Sequence, residues 1–463
     1  MKPELEETAV TRLQASFKNI GRRFLVEKRD FERQYFHIYH KRLDYFRDSL
    51  TAAAKEKWGS DCAGGEVPIR KTPELEQNED SIVLGIIIKQ QQLRPSMLKA
   101  IAAGGSELPQ PLLTKYTEAQ DRLSLEDEFQ PMRILGYEEV LGAELVTGVA
   151  VAVRGSENAS GQFTVTDILF PPLPPPPKHL PPLEEDKYIL FLSGLDLGGG
   201  ETAGVLEAME LLLDWLGGWG LAGVEVEKSK ATVTLVIVGN SISQSEDERN
   251  LTNLVRKLKQ RRNLQAPSVS HVELLDGLLG RATAKLPVIL LPGETDATNW
   301  MLPQQPLHPA LFPAVKSAGL IGNLRLLSNP CDFTLDGRRL LGTSGQNLDD
   351  LYRFSNLKEE PITLLKALWR FQHLAPTAPD TLGTFPFYDE DPFLVTEEEG
   401  NEEQACPAIF FAGNQRQSFQ WERVKTNAGA ESLLLCLPSF SATRQAVLVN
   451  LRTLTPQSMQ FHL

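Results

Sequence analysis

Residues 188–198 read YILFLSGLDLG and combine a continuous apolar run with a polar turn that contains glycine. The run from Tyr188 to Leu192 is too continuous for a strand with one face in water, so it predicts a strand that is buried on both faces. The pattern returns twice, because Thr232 to Val238 is followed by GNSIS and Val288 to Leu291 by PGETD. Three buried strands that each end in a polar turn indicate a parallel sheet covered by helices.

Apolar residues recur at helical spacing between these strands and after them. This periodicity predicts helices at 206–216, 246–262, 272–279 and 362–369, and further strands at 408–411 and 432–437. The alternation of strands and helices predicts an α/β domain over residues 187–463.

The sequence before residue 171 has a different texture. Short β-prone runs at 81–88, 145–153 and 163–166 are separated by glycine and proline, which predicts a small barrel over residues 51–170. The last two runs are separated by a polar turn, as in a Greek-key barrel. The prolines that follow predict a stiff linker at 171–186, and the alternative is a polyproline ligand for an SH3-type partner.

Two further segments complete the organisation of the chain. Residues 1–50 are predicted to be a helical lead-in, because Phe31, Tyr35, Ile38 and Tyr39 recur at helical spacing. The run from Asp389 to Glu403 is rich in acids and predicts a mobile surface loop.

Charge argues against a protein that wraps nucleic acid by itself. The 463 residues exceed the ~150 typical of one domain about threefold, and 47 basic against 60 acidic residues give a net charge of −13. A net-negative surface repels phosphate unless a basic stripe is segregated. A candidate stripe consists of Arg249, Arg256, Lys257, Lys259, Arg261 and Arg262. It lacks the interleaved aromatic residues that stack on bases, so a solvated helix face is the favoured interpretation.

Cysteine spacing, hydropathy and the composition of the amino terminus bear on the compartment in which the protein is found. Cys62, Cys331, Cys406 and Cys436 form no C-x-x-C pair, which predicts neither a zinc site nor a disulfide framework and favours a reducing compartment. No apolar run approaches the ~18 residues of a membrane span. The acidic amino terminus does not resemble a targeting peptide, so we expect a nuclear or cytoplasmic protein.

The three polar turns resemble the strand ends of calcineurin-like metallophosphoesterases, which carry D-x-H, G-D-x-x-D, G-N-H-D and, later, G-H-x-H. In that family these ligands hold two metals that activate water and clamp a phosphoryl group. The corresponding positions here are Gly194 and Asp196, Asn240 and Ser243, Glu294 and Thr295, Ser344, and finally Asn414 and Arg416. Every histidine is replaced, so we expect no catalytic residue, no metal and no cofactor; Arg416 would also oppose a metal by its charge.

The chain from about residue 20 onward resembles the B-subunits of eukaryotic replicative DNA polymerases, most closely those of the delta polymerases. The strings that carry this resemblance are FxRQYxHIY at 31–39, SGLxLGGG at 193–200, LPQQPLHP at 302–309, LGTSGQN at 341–347, APTAPDTLG at 375–383 and FSAT at 440–443.

The resemblance implies a mixed α and β fold, with a helix and an OB-fold barrel before an inactive phosphoesterase-like β-sandwich flanked by helices. It also implies a nuclear, non-catalytic scaffold in DNA replication and repair. Its implied partners are the carboxyl-terminal metal-cluster domain of a B-family catalytic subunit and a smaller accessory subunit, and DNA is contacted only indirectly. Sharing with polymerase zeta is left open.

The string at 302–309 has a physical interpretation of its own. Its three prolines fix φ and remove hydrogen-bond donors, so it must be a rigid loop. Leu302, Pro306, Leu307 and His308 are candidate docking residues, because a rigid loop loses little entropy on binding. The alternative is that the loop fastens only to its own core. His308 and also His373 are expected to be hydrogen-bonded loop residues and not metal ligands.

Two other functions are kept as alternatives. Asp196, Glu294 and Asp296 could support a weak metal-dependent phosphodiesterase or nuclease. The barrel could instead bind single-stranded DNA, which requires exposed aromatic residues on a basic groove. The aromatic residues of the barrel region are Tyr116, Phe129, Tyr137, Phe163 and Phe170.

Overall fold

The computed structural model describes residues 12–27, 32, 34–59, 67–94, 113–136, 144–173, 182–243, 267–395, 406–425, 429 and 431–462. The chain divides into two compact units. The first comprises Met1–Glu27, Pro175–Gln346 and Glu398–Leu463, and the second comprises Lys28–Pro174 and Asn347–Glu397. Both units are discontinuous in sequence, whereas the expected domains are continuous ranges; the boundaries expected for those domains stay a prediction.

Two six-stranded sheets form the first unit, with strands numbered along the chain. In spatial order, one sheet contains β1 (Phe17–Asn19), β11 (Cys331–Leu335), β12 (Arg338–Thr343), β13 (Ile409–Gln415), β15 (Glu431–Pro438) and β14 (Gln420–Lys425). The other contains β10 (Leu324–Leu326), β9 (Val288–Leu291), β8 (Thr232–Val238), β7 (Tyr188–Leu192), β16 (Gln445–Asn450) and β17 (Thr455–Gln460).

The continuous apolar run of β7 is explained by two cores, one on each face of its sheet. Ile189 and Phe191 pack with side chains of the other sheet, and the rings of Phe191 and Phe411 lie 5.2 Å apart. Leu190 and Leu192 enter the second core, which the helices cover. The helices that the structure describes in this unit are α2 (Thr202–Gly217), α3 (Val224–Ala231), α4 (Pro267–Thr283), α5 (Pro313–Ser317) and α8 (Phe440–Thr443). The result is a β-sandwich flanked by helices, as expected.

The second unit is built on a closed five-stranded barrel. Around the barrel the strands are β2 (Asp80–Gln90), β3 (Arg122–Glu126), β4 (Pro131–Leu135), β6 (Phe163–Leu169) and β5 (Ala150–Glu157). The parallel pairing of β4 with β6 gives the barrel a Greek-key order, and β5 and β6 form the predicted hairpin. The described part of the chain contains three further helices: α1 (His37–Trp58), α6 (Gln346–Phe354), which starts at the end of the first unit, and α7 (Pro361–Phe371).

Most of the predicted elements are confirmed. The strands at 188–192, 232–238 and 288–291 and the helices at 206–216, 272–279 and 362–369 all occur. The helix predicted at 246–262, with its basic stripe, lies outside the described residues, as do residues 174–181 of the proline-rich segment.

The prediction that residues 1–50 are helical is wrong for the part before α1. Phe17–Asn19 forms a strand that pairs antiparallel with β11, and the helix begins only at His37. Ile38 lies in α1 and is buried, whereas Phe31 is outside the described residues. The strand takes its hydrogen bonds from a partner more than 300 residues away, which local periodicity cannot detect.

The prediction of a mobile surface loop at 389–403 is wrong for its first part. Asp391, Phe393 and Val395 are buried, and Leu394 pairs with His373. Residues 396–405 lie outside the described residues. The prediction was based on the acidic composition of the segment. Asp391 is nevertheless buried, because it pairs with an arginine that is far away in the sequence.

The cysteines that the structure describes are free thiols. Cys331, Cys406 and Cys436 are buried, and burial raises the pKa of each thiol. In the described ranges, no helix combines the length and the apolar character that crossing a membrane requires.

Candidate functional site

The candidate site lies where the parallel strands of the two sheets end. β7, β8 and β9 run parallel in one sheet, and β12 and β13 run parallel in the other. Gly194 follows β7 with a φ of 63°, and a Cβ atom there would lie 2.6 Å from the Oδ1 atom of Asn414. Glycine is therefore required at Gly194 by both its backbone conformation and the close approach of β13.

Asn414 fastens the two sheets together at this end. Its Nδ2 atom donates to the carbonyl of Val238, at the end of β8, over 3.0 Å and to the carbonyl of Ser344 over 2.7 Å. Its backbone N–H donates to the Ser193 hydroxyl over 3.0 Å. The position that matches a metal ligand of the phosphoesterases thus holds a neutral amide engaged in hydrogen bonds.

A second group of neutral side chains joins the loops around Ser344; we call it the amide network. Its members are Gln304, Asn329, Ser344 and Gln346. The Nδ2 atom of Asn329 lies 2.8 Å from Gln304 Oε1, 2.6 Å from Ser344 Oγ and 2.7 Å from Gln346 Oε1. The backbone N–H of Ser344 donates to Asn329 Oδ1 over 2.9 Å. These side chains satisfy one another, so they contribute packing and rigidity at this end of the sandwich.

Asp296 holds the turn after β9. Its carboxylate accepts from the backbone N–H groups of Ser241 over 2.9 Å, Ile242 over 3.1 Å and Gly293 over 2.8 Å. Burial raises the pKa of Asp296 to about 6, although these donors oppose the rise. Both carboxylate oxygens are occupied by the backbone, so Asp296 is a structural residue and is not open to a metal.

The structure brings most of the predicted site positions together. Asp196 donates its N–H to the carbonyl of Asn240 over 3.0 Å, and the Thr295 N–H lies 3.3 Å from Asn240 Oδ1. Three positions stand apart from this set of contacts. Ser243 bonds to Leu197 and His271 through its backbone, while Glu294 and Arg416 are exposed.

The donor set does not fit a pair of metal ions. Two-metal sites use carboxylates and imidazoles that face one cavity. Across the described ranges, no cluster of three or more histidine, cysteine, aspartate or glutamate side chains has the geometry to hold a metal. Of the three carboxylates considered for an enzyme, Glu294 is exposed and Asp296 is bound by the backbone, which leaves Asp196.

The predicted docking loop is rigid but turns its leucines inward. Leu302 and Leu307 are each only 4% exposed, whereas Pro306 is half-buried and His308 is exposed. The Nδ1 atom of His308 accepts from the Ala310 N–H over 3.1 Å and caps a short 3-10 helix. His308 is thus a hydrogen-bonded loop residue, as expected, and the leucines serve the core.

The barrel aromatic residues that the structure describes do not form a stacking surface. Tyr116, Phe163 and Phe170 are buried, Phe129 is 57% exposed, and Tyr137 lies outside the described residues. A cavity of about 350 Å³ lies on the barrel beside Arg122 and Arg133, with Asp121 also in its wall. One exposed ring among the described aromatic residues is too little for the successive base stacking that single-strand binding requires.

Sequence reasoning missed the amide network itself. Gln304 and Gln346 stand within strings that carry the family resemblance but were not themselves candidate site residues, and Asn329 lies in none of those strings. A signal was present, because amide side chains without charged neighbours recur in these apolar, proline- and glycine-rich loops. Their convergence depends on loops that follow different strands, so spacing alone could not reveal it.

Comparisons with known proteins agree with this architecture. The family of the B subunits of DNA polymerases alpha and epsilon matches residues 189–420, and the family of the OB-fold domain of DNA polymerase delta subunits matches residues 34–168. The DNA polymerase delta small subunit of Oryza sativa subsp. japonica is 35% identical over 453 residues, which is 97% of this chain and 98% of that protein.

Relatives from other lineages carry related names. DNA polymerase delta subunit 2 of Drosophila melanogaster is 34% identical and covers 97% of this chain and 98% of its own length. The DNA polymerase II small subunit of Pyrococcus abyssi is 25% identical over 61% of this chain and 43% of that protein. Since similarity to the delta subunits runs through nearly the whole chain, the chain belongs to the family of DNA polymerase delta small subunits.

Proposed function

We propose that this chain is a non-catalytic accessory subunit of a DNA polymerase delta complex and acts as its scaffold. The observation that carries the proposal is the amide network, which occupies the strand ends with mutually bonded neutral side chains. Side chains that are consumed by one another offer rigidity to a partner and no chemistry to a substrate. The family membership supports the same role.

The phosphoesterase-like sandwich is proposed to be inactive. Asn414 donates to two carbonyls where a histidine ligand would be needed, and Asp296 is held by three backbone N–H groups. A water molecule bound here would have no pair of metals to lower its pKa. Calorimetric titration with Mn²⁺ should give no heat of binding, and a nitrophenyl phosphodiester should not be hydrolysed. Metal-dependent turnover that Asn414→Ala abolishes would contradict the proposal.

The proposed partners are the carboxyl-terminal metal-cluster domain of the B-family catalytic subunit and a smaller accessory subunit. The names of the relatives imply a complex with a catalytic subunit, and the rigid loops at the strand ends are suitable for docking. Co-expression with each partner should yield a complex that survives affinity purification in 0.3 M salt. Recovery of the chain without either partner would contradict the scaffold role. The same assay with the catalytic subunit of polymerase zeta tests sharing.

We propose that the protein acts in the nucleus, in DNA replication and repair, and contacts DNA only through its partners. The net charge of −13 supports indirect contact, because phosphate binding is driven by cations. Fluorescence imaging of a tagged chain should place it in the nucleus and at replication sites during DNA synthesis. Salt-dependent binding of single-stranded DNA by the isolated chain would instead favour a DNA-binding barrel.

A further inference from the structure

Strand β17 begins with a threonine that is followed by proline, the dipeptide that proline-directed protein kinases modify. Thr-Pro occurs twice in the sequence, at 72–73 and 455–456, and Ser-Pro does not occur. The two threonines lie in opposite surroundings. Thr72 is 5% exposed and its hydroxyl lies 2.9 Å from the Asp127 carboxylate, whereas Thr455 is exposed. Because a buried carboxylate repels a phosphate, Thr455 is the better acceptor of the two.

A cation lies against the Thr455 hydroxyl. Arg423 belongs to β14, the outermost strand of the other sheet, and its Nη2 atom donates to Thr455 Oγ1 over 3.1 Å. The same nitrogen donates to the carbonyls of Thr453 over 2.9 Å and Leu454 over 3.1 Å. Among the described residues, nothing is bonded to the Nε or Nη1 atoms of this exposed guanidinium. These donors are therefore available to an anion that is attached at Thr455.

The charged neighbours of these two residues in sequence do not compete for Arg423. Two ion pairs, each with 2.7 Å between the charged atoms, involve such neighbours: Arg452 with Asp186, and Lys425 with Glu431. Glu422 precedes Arg423 in β14 and points to the opposite face of the strand, because successive side chains alternate. Residues 426–428 and 430, which lie outside the described ranges, carry no ionisable side chain. Arg423 is therefore the cation that a phosphate on Thr455 would meet first.

We propose that Thr455 is a phosphorylation site and that Arg423 binds the phosphate. A protein kinase would transfer the γ-phosphoryl group of ATP to Thr455 Oγ1. The bond from phosphorus to the ADP oxygen breaks, a bond to Oγ1 forms, and the hydroxyl proton leaves to the base of the kinase. The product carries a charge of about −1.5 to −2 at pH 7 and has three strong acceptor oxygens, which suit charge-assisted hydrogen bonds from a guanidinium.

A kinase gains access to this site through β17. Pro456 is buried, so the dipeptide becomes available when β17 opens from β16. β17 is the outermost strand of its sheet, and local opening of such an element costs less free energy than global unfolding. Once added, the phosphate would fasten the start of β17 to β14 and so join the outer strands of the two sheets.

Incubation of the purified full chain with ATP and a cyclin-dependent kinase, followed by peptide mass spectrometry, tests the acceptor. This kinase class requires proline after the acceptor, so Thr72 is a matched control within the same chain. Thr455 should be phosphorylated at least about tenfold faster than Thr72, because an edge strand opens more readily than a buried site. Thr455→Val should abolish labelling of its peptide. Absence of phosphate at Thr455 would overturn the proposal, as would equal rates at both threonines, which would make the unfolded chain the substrate.

Variants of Arg423 test the binding of the phosphate. In phosphorus NMR of the phosphorylated chain, the phosphate should lose its second proton at lower pH in the wild type than in Arg423→Gln, because a nearby cation favours the dianion. Arg423→Lys should keep part of this difference, and Arg452→Gln, the matched control, should titrate like the wild type. Phosphorylation should slow hydrogen exchange of β17 amides about threefold or more in the wild type and leave it unchanged in Arg423→Gln. Identical titration in the wild type and Arg423→Gln would overturn the role of Arg423.

Discussion

Each of the two units is stabilised internally by a polar network, which is neutral in the first unit and charged in the second. In the first unit the amide network is neutral, and one of its members, Ser344, stands at a position that the resemblance matches to a metal ligand. In the second unit the buried cluster is charged: the Nε atom of Arg42 lies 2.8 Å from Asp391 Oδ2, and the Nε2 atom of His373 lies 2.8 Å from the same oxygen. All three charged-cluster residues are at most 6% exposed. The two networks should therefore differ in how much stability their loss costs.

In the charged cluster each buried charged or polar group needs a partner within the protein, because water does not reach it. Arg42 also donates to the carbonyls of Gly148 and Pro376, so its guanidinium joins α1 to two other segments of its unit. A buried pair gains little over an apolar alternative, but removing one partner leaves a charge that nothing compensates. The amide network carries no such charge, so its loss should cost less and should not depend on pH.

Breaking the charged cluster should produce the largest effect. Arg42→Met leaves Asp391 buried without its cation and is expected to destabilise the second unit by about 3–5 kcal/mol. The free energy of opening, measured by hydrogen exchange of amides in β2 and β5, reports this loss. Arg47→Met is the control on the same helix, because Arg47 pairs with exposed Glu128 and should cost less than about 1 kcal/mol. Equal effects would contradict the account.

Acid should weaken the charged cluster through His373. Burial, aided by Arg42, lowers the pKa of His373 to about 4 from an ordinary value of 6.5. As the pH falls, His373 therefore binds a proton in the unfolded chain before it does so in the folded protein. Its contribution to the free energy of unfolding is complete above pH 6.5 and decreases towards pH 4, by on the order of 3 kcal/mol.

The difference between His373→Gln and the wild type isolates this effect. Burial raises the pKa of Asp296 and Asp350 to about 6, and these carboxyls act in the opposite direction over the same window. Both proteins share them, so subtraction removes their contribution. The stability advantage of the wild type should shrink as pH falls from 6.5 to 4 in urea unfolding; an advantage that stays constant would assign His373 no role in the pH dependence.

Breaking the amide network should have a smaller effect. Asn329→Ala removes bonds to Gln304, Ser344 and Gln346 and should cost about 2 kcal/mol, with the same value at pH 5 and pH 7. Asn323→Ala, which removes a bond of 2.9 Å to the carbonyl of Thr283, should cost about 1 kcal/mol or less. Hydrogen exchange of β8 and β12 amides measures both. A strong pH dependence for Asn329→Ala would mean that charge is present in the network.

A smaller effect than at Asn329 is expected at Asn414. Asn414→Ala loses the donors to Val238 and Ser344 and should cost about 1 kcal/mol, because water can reach a half-buried position. Exchange of the Ser344 and Gly239 amides should accelerate while that of the barrel amides stays unchanged. Unchanged exchange at Ser344 would show that the sheets do not depend on this bridge.

The parts of the fold that sequence could predict are those fixed by local pattern. β7, β8 and β9 are continuous apolar runs that need two cores, and their polar turns follow from glycines with positive φ such as Gly194 and Gly239. The location of the candidate site followed in turn, since parallel strands bring their carboxyl ends to one edge. The identity of the missing metal ligands came from the resemblance to the phosphoesterases and not from the sequence pattern.

The parts that could not be predicted depend on partners distant in sequence. Asp391 reads as a surface acid, and only its pairing with Arg42, 349 residues away, makes its burial possible. Residues 347–397 belong with the barrel unit although they follow strands of the sandwich. Phe17–Asn19 becomes a strand only beside β11. In each case the deciding energy comes from tertiary contacts, which propensity does not contain.

The most direct test of the account is the mass of the complex formed with the catalytic subunit. Mixing the purified chain with a metal-cluster-loaded catalytic subunit of a delta polymerase, followed by size exclusion with light scattering, should give a one-to-one complex with no Mn²⁺-dependent phosphodiesterase activity. Two separate peaks, with a chain that hydrolyses phosphodiesters by itself, would contradict the scaffold role and assign chemistry to the strand ends.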